Sequence, residues 1–141
     1  PEAAARSRWI YRRLGDEPAV LQVDNELAWV AGLGGDLAAQ VRVASAVVER
    51  AAAMAPNGPA HLHSLGCLGC GLVFMGRFAE ADAALRHALR IATSQGDLYQ
   101  IGWLTGILAM QLAFTAGPPA AEQLLAEVRP RVAEHPDPGF A

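Results

Sequence analysis

A glycine-led turn returns along this chain at a fixed step of 41 residues, beginning at Gly35, Gly76 and Gly117. A second set of glycine- and proline-containing breaks keeps nearly the same step, at residues 15–18, 56–59, 96–97 and 136–139. Two interleaved sets of helix breakers at one period indicate a repeated two-helix unit, the sequence signature of a helical solenoid. The breaks therefore predict an all-α fold, a right-handed superhelical solenoid of antiparallel helix pairs.

The breaks divide the chain into about seven predicted helices. Their bounds are about residues 2–14, 18–33, 36–54, 59–75, 77–95, 97–116 and 118–134. Asp36 and Asp97 are suited to cap helix N-termini, and Gly96 to end a helix in the left-handed conformation. The single predicted domain, residues 1–141, then holds half a unit and three full ones, at about 1–15, 16–56, 57–96 and 97–137. Because both ends fall inside the repeat pattern, we expect a fragment of a longer protein.

The middle unit places small residues where two helices would cross and leucines along one stripe. It reads Leu65-x2-Leu68-Gly69-x2-Leu72, then Gly76-Arg77-Phe78, then Ala81-x3-Leu85-x2-Ala88. This pattern resembles the tetratricopeptide repeat, with leucines where that family has aromatic residues and Thr93 in place of its final proline. The period is 41 residues rather than about 34, and the two added helical turns leave the packed face unchanged.

Long, alanine-rich units with arginine as the only basic residue besides histidine resemble one setting in particular. They are similar to the tetratricopeptide-like sensor region of large MalT-like and LuxR-type bacterial transcriptional regulators. The resemblance implies a non-enzymatic interaction and sensing module of a cytoplasmic regulator, with an ATPase module before it and a helix-turn-helix after it. The alternative is a small-molecule or metal receptor that uses the concave groove.

Composition argues against several other classes of function. The net charge is −3 and the pI is near 5.8, which disfavours a nucleic-acid-binding surface. There is no lysine, so a P-loop or a Schiff-base enzyme is excluded for this segment. No catalytic motif stands out, and we predict a non-enzyme without a cofactor. The chain has two cysteines and no pattern of cysteines that indicates disulfides, which favours a reducing, cytoplasmic compartment.

Two segments have an alternative membrane or nucleic-acid interpretation. Residues 98–121 carry no charge and include Gly102-x3-Gly106, as close-packed membrane helices do. Polar residues interrupt this run and Gly117 ends it, so we interpret it as a helix buried on most sides. The N-terminal segment carries a basic cluster of Arg6, Arg8, Arg12 and Arg13, beside Trp9 and Tyr11. We interpret this cluster as a solvated outer helix face rather than a contact for nucleic acid or acidic lipid.

The fourth predicted helix carries the one metal-like cluster, His61, His63, Cys67 and Cys70. His63, Cys67 and Cys70 share one helix face, and soft sulfur and imidazole ligands suit zinc or copper. A closed zinc site usually takes four ligands from two elements, however, and His61 points away from that face. We therefore predict no metal, with the cysteines as small, partly buried residues of a packed helix.

The same face is predicted to belong to the concave surface of the array. Corresponding stripes on three helices line it: Gln22, Glu26, Trp29 and Leu33; His63, Cys67, Cys70 and Phe74; Leu104, Leu108, Gln111 and Phe114. Such a groove is apolar with a few hydrogen-bonding groups, which suits a peptide or protein partner or a small effector. The alternative is that it packs against other parts of a longer protein.

Apolar residues at both ends of the array predict self-association. The first helix carries Trp9, Ile10 and Leu14, and the last carries Leu124, Leu125 and Val128. Solenoids usually end in polar capping helices, so uncovered apolar ends favour contacts between copies. We predict a dimer or end-to-end contact through the terminal helices rather than through the concave groove.

Overall fold

The structure of the chain is a computed structural model that describes residues 2–133. Every regular element in this part is an α-helix, and the all-α prediction is confirmed. The helices are α1 (Glu2–Leu14), α2 (Glu17–Leu33), α3 (Leu37–Met54), α4 (Pro59–Phe74), α5 (Phe78–Gln95), α6 (Leu98–Thr115) and α7 (Pro118–Ala133). The predicted break at residues 136–139 lies outside the described residues.

The helix ends follow from the breaker residues. Gly35, Gly76 and Gly117 have φ values of 88°, 73° and 89°, in the left-handed region that a side chain would disfavour. Gly96 ends α5 with φ 68°, so the predicted left-handed cap is confirmed. Each turn therefore sits where glycine lowers the cost of reversing the chain.

Aspartates begin three of the helices. Asp36 accepts a hydrogen bond from the Ala39 amide at 2.8 Å, and Asp97 accepts one from the Gln100 amide at 3.0 Å. Both predicted caps are confirmed, and each stands one residue before its helix rather than inside it. Asp16 caps α2 in the same way, which the sequence reasoning missed. A side-chain cap of this kind contributes about 1 kcal/mol to helix stability.

The helices pack in chain order, each against the next. In addition, α2 contacts α4, and α4 contacts α6, so the even-numbered helices form a second row of neighbours. The largest hydrophobic cluster runs from Val41 on α3 to Leu108 on α6, and Leu124 and Val128 of α7 pack against it. The core is thus continuous along the stack.

Helix α4 approaches its neighbours most closely at three glycines. A Cβ at Gly69 would lie 2.5 Å from Leu85 Cγ on α5, and one at Gly71 would lie 3.0 Å from Val41 Cγ2 on α3. A Cβ at Gly66 would lie 2.9 Å from the indole ring of Trp103 on α6. Real Cβ atoms are rarely so close to another heavy atom, so these glycines set the helix separations.

A buried carboxylate fastens the first three helices together. Asp24 of α2 is 4% exposed, and its oxygens lie 2.7 Å from Arg8 Nε of α1 and 2.7 Å from Arg50 Nη1 of α3. Arg50 also pairs with Glu17 at the start of α2. A buried charge is tolerated when it is paired and hydrogen-bonded in this way. Arg8, predicted to be solvated, is thus a structural partner.

In the described residues, no helix combines the length and the apolar character that crossing a membrane requires. The uncharged run from residue 98 forms α6, and Leu104, Thr105 and Leu108 on it are buried against neighbouring helices. The hydroxyl of Thr105 donates to the Ile101 carbonyl at 2.7 Å, which satisfies it inside the packed layer. The interpretation of this run as a buried helix agrees with that packing.

The terminal patches differ in part from those expected. Trp9, Ile10 and Leu14 are exposed on α1, but on α7 only Leu125 of the three predicted residues is exposed. Leu124 and Val128 are partly buried and pack against the main core, because their side chains are rotated around the helix from Leu125 towards the neighbouring helices. The apolar surface available for association is therefore larger at α1 than at α7.

Replacing Gly69 with leucine is expected to destabilise the fold by about 1–3 kcal/mol, because the new side chain must occupy space already filled by Leu85. Urea denaturation followed by circular dichroism measures the change. Gly106→Ala is the matched control: it is also a helical glycine, but nothing lies within 4 Å of its Cβ position. That control should stabilise by about 0.5–1 kcal/mol. Equal stability of Gly69→Leu and the parent would contradict this packing.

Self-association is expected to depend on α1. The average mass of the 141-residue chain in light scattering should rise with concentration, and the double variant Trp9→Gln, Leu14→Gln should lower that rise. Leu33→Gln, at an exposed leucine of the stripe that was predicted to be concave, should leave the rise unchanged. A parent chain that stays monomeric at every concentration, or one that responds only to Leu33→Gln, would overturn the expectation.

Candidate functional site

The predicted stripe on α2 lies at the surface. Gln22, Glu26 and Leu33 are exposed, and Trp29 is half-buried. Their spacing of three to four residues keeps them on one face of α2, as expected for a helix. The opposite face of α2 carries the buried Val20, Leu21 and Ala28.

The predicted stripe on α4 is divided between surface and core. His63 and Phe74 are exposed, but Cys67 and Cys70 are buried. The amide Nε2 of Gln40 on α3 donates to the Cys67 carbonyl at 3.1 Å, so α3 covers this part of the helix. The two cysteines therefore do not line a surface groove, because α4 has neighbours on more sides than an end helix would.

On α6 the predicted stripe faces inward except at its end. Leu104, Leu108 and Gln111 are buried, and Phe114 alone is exposed. The loop between α3 and α4 comprises residues 55–58, whereas the loop between α5 and α6 comprises only residues 96–97. A fixed step of 41 residues therefore does not lead from a position on α4 to the equivalent position on α6. One residue of offset rotates a helix face by about 100°. A step of 40 from His63 reaches Trp103, and these two residues line the same pocket.

Two tryptophans meet across α4. The ring centroids of Trp29 on α2 and Trp103 on α6 are 5.6 Å apart, with the ring planes at 74°. The Trp103 ring reaches this position by lying over the backbone of Gly66, where any side chain would collide with it. Edge-to-face aromatic pairs of this kind add about 0.5–1.5 kcal/mol beyond their burial.

Above this pair lies a pocket of about 320 Å³, here called the aromatic pocket. It is formed by one face each of α2, α4 and α6. Its lining residues are Asn25, Glu26, Trp29, His63, Tyr99, Gln100 and Trp103. Glu26, Trp29 and His63 were predicted for the groove, whereas Asn25, Tyr99, Gln100 and Trp103 were missed. The signal that could have found them is the aromatic spacing of Tyr99 and Trp103 on one helix face.

A second and larger pocket of about 640 Å³, here called the apolar pocket, lies beside the aromatic pocket. It is formed by the start of α2, the loop before α4 and the first turns of α4. Asn25, Glu26 and His63 line both pockets, so the two are continuous. The residues that line only the apolar pocket include Pro18, Ala19, Leu21, Met54, Pro59 and Ala60.

The polar groups shared by the two pockets lack internal partners. Among the described residues, Glu26 forms no hydrogen bond or ion pair, although its negative charge helps to raise the pKa of Cys67. Asn25 is only 7% exposed, and its Oδ1 has no partner in this part of the chain. Among the residues that the structure describes, no arginine lines either pocket, and the carboxylates that line them are those of Glu26 and, in the apolar pocket, Asp16. The combined site is therefore negative.

A separate surface feature lies at the far end of the same three helices. Leu33, Phe74 and Phe114 stand at the C-terminal ends of α2, α4 and α6 and are 86%, 59% and 74% exposed. We call these three residues the apolar row. Large apolar side chains are seldom so exposed in a repeated position without an interaction partner.

The metal-like cluster is not assembled by the fold. His61 is buried, accepts a hydrogen bond at Nδ1 from the Asn57 amide at 3.1 Å and packs edge-on against His87. Burial, with a smaller contribution from His87, lowers the pKa of His61, so the neutral imidazole is favoured there. His63 is exposed on a different face. Within residues 2–133, no group of three or more His, Cys, Asp or Glu residues could hold a metal ion.

Burial favours the protonated form of both cysteine thiols. Burial raises the pKa of Cys67 to about 12 and that of Cys70 to about 11. The thiolate is the nucleophile and the metal ligand, so thiols held protonated at neutral pH react slowly. These residues act as packing groups against α3.

Comparison of the chain with protein-family models, curated proteins and solved structures found no match in any of the three.

Stability is expected to fall as the pH rises above about 9. An unfolded cysteine ionises near pH 9, whereas the folded thiols stay protonated to about pH 11, so between these values only the unfolded state releases protons. The loss should reach about 1 kcal/mol per thiol near pH 10. Urea denaturation at pH 8 and pH 10 measures it, with Cys67→Ala, Cys70→Ala as the comparison. An equal alkaline loss in that double variant would show that the thiols are not its cause.

Proposed function

We propose that this chain is a non-enzymatic interaction and sensing module, built as a right-handed, tetratricopeptide-like solenoid and belonging to a larger transcriptional regulator. The chain-order packing and the second contacts of α2 with α4 and α4 with α6 support a stacked array. The resemblance of the middle unit, around Gly69, to the tetratricopeptide repeat supports the tetratricopeptide-like assignment. The regulator setting rests on the resemblance of the whole pattern to MalT-like and LuxR-type sensor regions.

The observation that carries the interaction function is the apolar row. Its three side chains occur one per helix pair, at the C-terminal ends of α2, α4 and α6, and these helices contact one another in turn. Periodic anchors of this kind suit an amphipathic helix or an extended peptide. Contacts in such interfaces derive most of their energy from a few large apolar groups.

A second candidate function, reception of a small effector, is favoured by the two continuous pockets. Together they offer an apolar cavity with a few polar groups at their junction, which is the usual composition of a ligand site. Both functions are compatible in one sensor, since the row and the pockets lie at different points along the same helices.

The absence of catalysis is part of the proposal. Glu26 and His63 are the titratable groups at the junction of the pockets, and neither is hydrogen-bonded to another described residue. A catalytic base or nucleophile is normally oriented by such a partner.

The regulator setting is tested by the sequence of the gene that encodes this chain. A nucleotide-binding motif should be encoded before the chain and a helix-turn-helix after it.

A photo-crosslinking amino acid at Phe74 is expected to give a discrete adduct in the cells that produce the protein, because the apolar row holds a partner there. The same amino acid at Leu125, an exposed leucine on α7, is the matched control. The mass of each adduct identifies the partner. The interaction function would be contradicted if position 74 gave no discrete adduct, or if its products matched those of position 125.

A further inference from the structure

We propose that the aromatic pocket binds the quaternary ammonium head of a small organic cation whose apolar substituent occupies the neighbouring apolar pocket. This inference rests on the proposal that the concave face is a binding surface, and it names the ligand class that the face selects.

The walls of the aromatic pocket are suited to a positive charge without hydrogen-bond donors. Trp29 and Trp103 stand at 74° to each other with centroids 5.6 Å apart, and Tyr99 lines the same pocket. Aromatic faces carry negative electrostatic potential, and tryptophan gives the strongest attraction for a cation. Two walls at nearly a right angle form a corner that contacts a rounded trimethylammonium group on two sides.

Glu26 supplies the complementary charge. Its carboxylate lines both pockets, and no described arginine pairs with it. By contrast, Asp24, only two residues away, is neutralised by Arg8 and Arg50. A bound cation would give Glu26 the opposite charge that it lacks within the described chain, and the overall charge of −3 favours the approach of a cation.

The pocket is poorly matched to a cation that carries many N–H groups. A guanidinium has five donors and a primary ammonium has three, each of which needs an acceptor when it leaves water. Among the described residues that line the aromatic pocket, Glu26 is the one charged acceptor, and the others, such as Asn25 Oδ1, are neutral. A quaternary ammonium has no N–H group, so aromatic contacts and one nearby carboxylate are sufficient.

The size of the paired pockets indicates an elongated ligand. The aromatic pocket, at about 320 Å³, is small enough for a head group, and the apolar pocket, at about 640 Å³, continues from it past Asn25 and His63. The second pocket is lined by proline, alanine, leucine and methionine side chains, which favour hydrocarbon, together with polar groups that include Asp16 and Gln22. The geometry thus points to a head in one pocket and a tail in the other.

Isothermal titration of the 141-residue chain with butyrylcholine tests the proposal, with 3,3-dimethylbutyl butanoate as the uncharged control of the same shape. Butyrylcholine should bind at least ten-fold more tightly than the control, because the two differ only in the charge of the head. Equal affinity of the two compounds would overturn the cation assignment.

Matched variants locate the site. Glu26→Gln should weaken butyrylcholine binding at least five-fold, and Glu49→Gln, an exposed glutamate on α3, should leave it unchanged. Tyr99→Leu, at an exposed position, should also weaken binding while the circular dichroism spectrum stays that of the parent. Unchanged affinity in both the Glu26 and Tyr99 variants would place the ligand elsewhere and overturn the proposal.

A guanidinium compound tests the choice of ligand class. N-acetylarginine methylamide should bind more weakly than butyrylcholine; tighter binding would replace the ligand class with guanidinium groups and overturn the assignment.

Two further outcomes separate this proposal from the function on which it rests. If no cation binds while the crosslink at Phe74 persists, this proposal fails and the interaction function stands. If cations bind and the Phe74 crosslink is absent, the interaction function fails instead.

Discussion

The close approach of three helices to α4 is the constraint on which the rest of the structure depends. Gly66, Gly69 and Gly71 leave room for a side chain of α6, α5 and α3 respectively, and a Cβ at any of them would lie within about 3 Å of that neighbour. Dispersion contacts fall off steeply with distance, so packing at this separation couples the helices more firmly than ordinary side-chain contact would. Helix α4 thereby becomes the centre of the stack and not merely one member of a row.

The geometry of the aromatic pocket follows from that closeness. Because Trp103 lies over Gly66, it reaches the ring of Trp29 on the far side of α4, and the two tryptophans form adjacent walls of one pocket. Cys67 is covered for the same reason, since Gln40 of α3 hydrogen-bonds to its backbone. The same packing therefore leaves a pocket where Trp103 crosses α4 and covers the helix at Cys67, where α3 packs against it. The unpaired Glu26 lies beside the aromatic walls of that pocket.

The sequence predicted those features that depend on local chain geometry. Breaker residues such as Gly96 located the helix ends, and the spacing within α2 placed Glu26 and Trp29 on one surface. The α6 stripe was not predictable from a fixed step, because a shorter loop precedes a longer helix, and Trp103 rather than the predicted Leu104 lines the pocket beside His63. The tryptophan contact was missed for a different reason. It joins helices that are not adjacent in the chain and depends on Gly66, which no periodic pattern marks.

Helices α2 and α6 touch across α4 through their tryptophans, and nuclear Overhauser contacts between indole protons test this contact most directly. The chain has three tryptophans, and the separation of 5.6 Å between ring centroids predicts cross-peaks between Trp29 and Trp103 and none from Trp9 to either. Gly66→Val should abolish those cross-peaks, because the added side chain would displace the Trp103 ring. Their absence in the parent chain, or their persistence in the Gly66 variant, would contradict this account of how the aromatic pocket is formed.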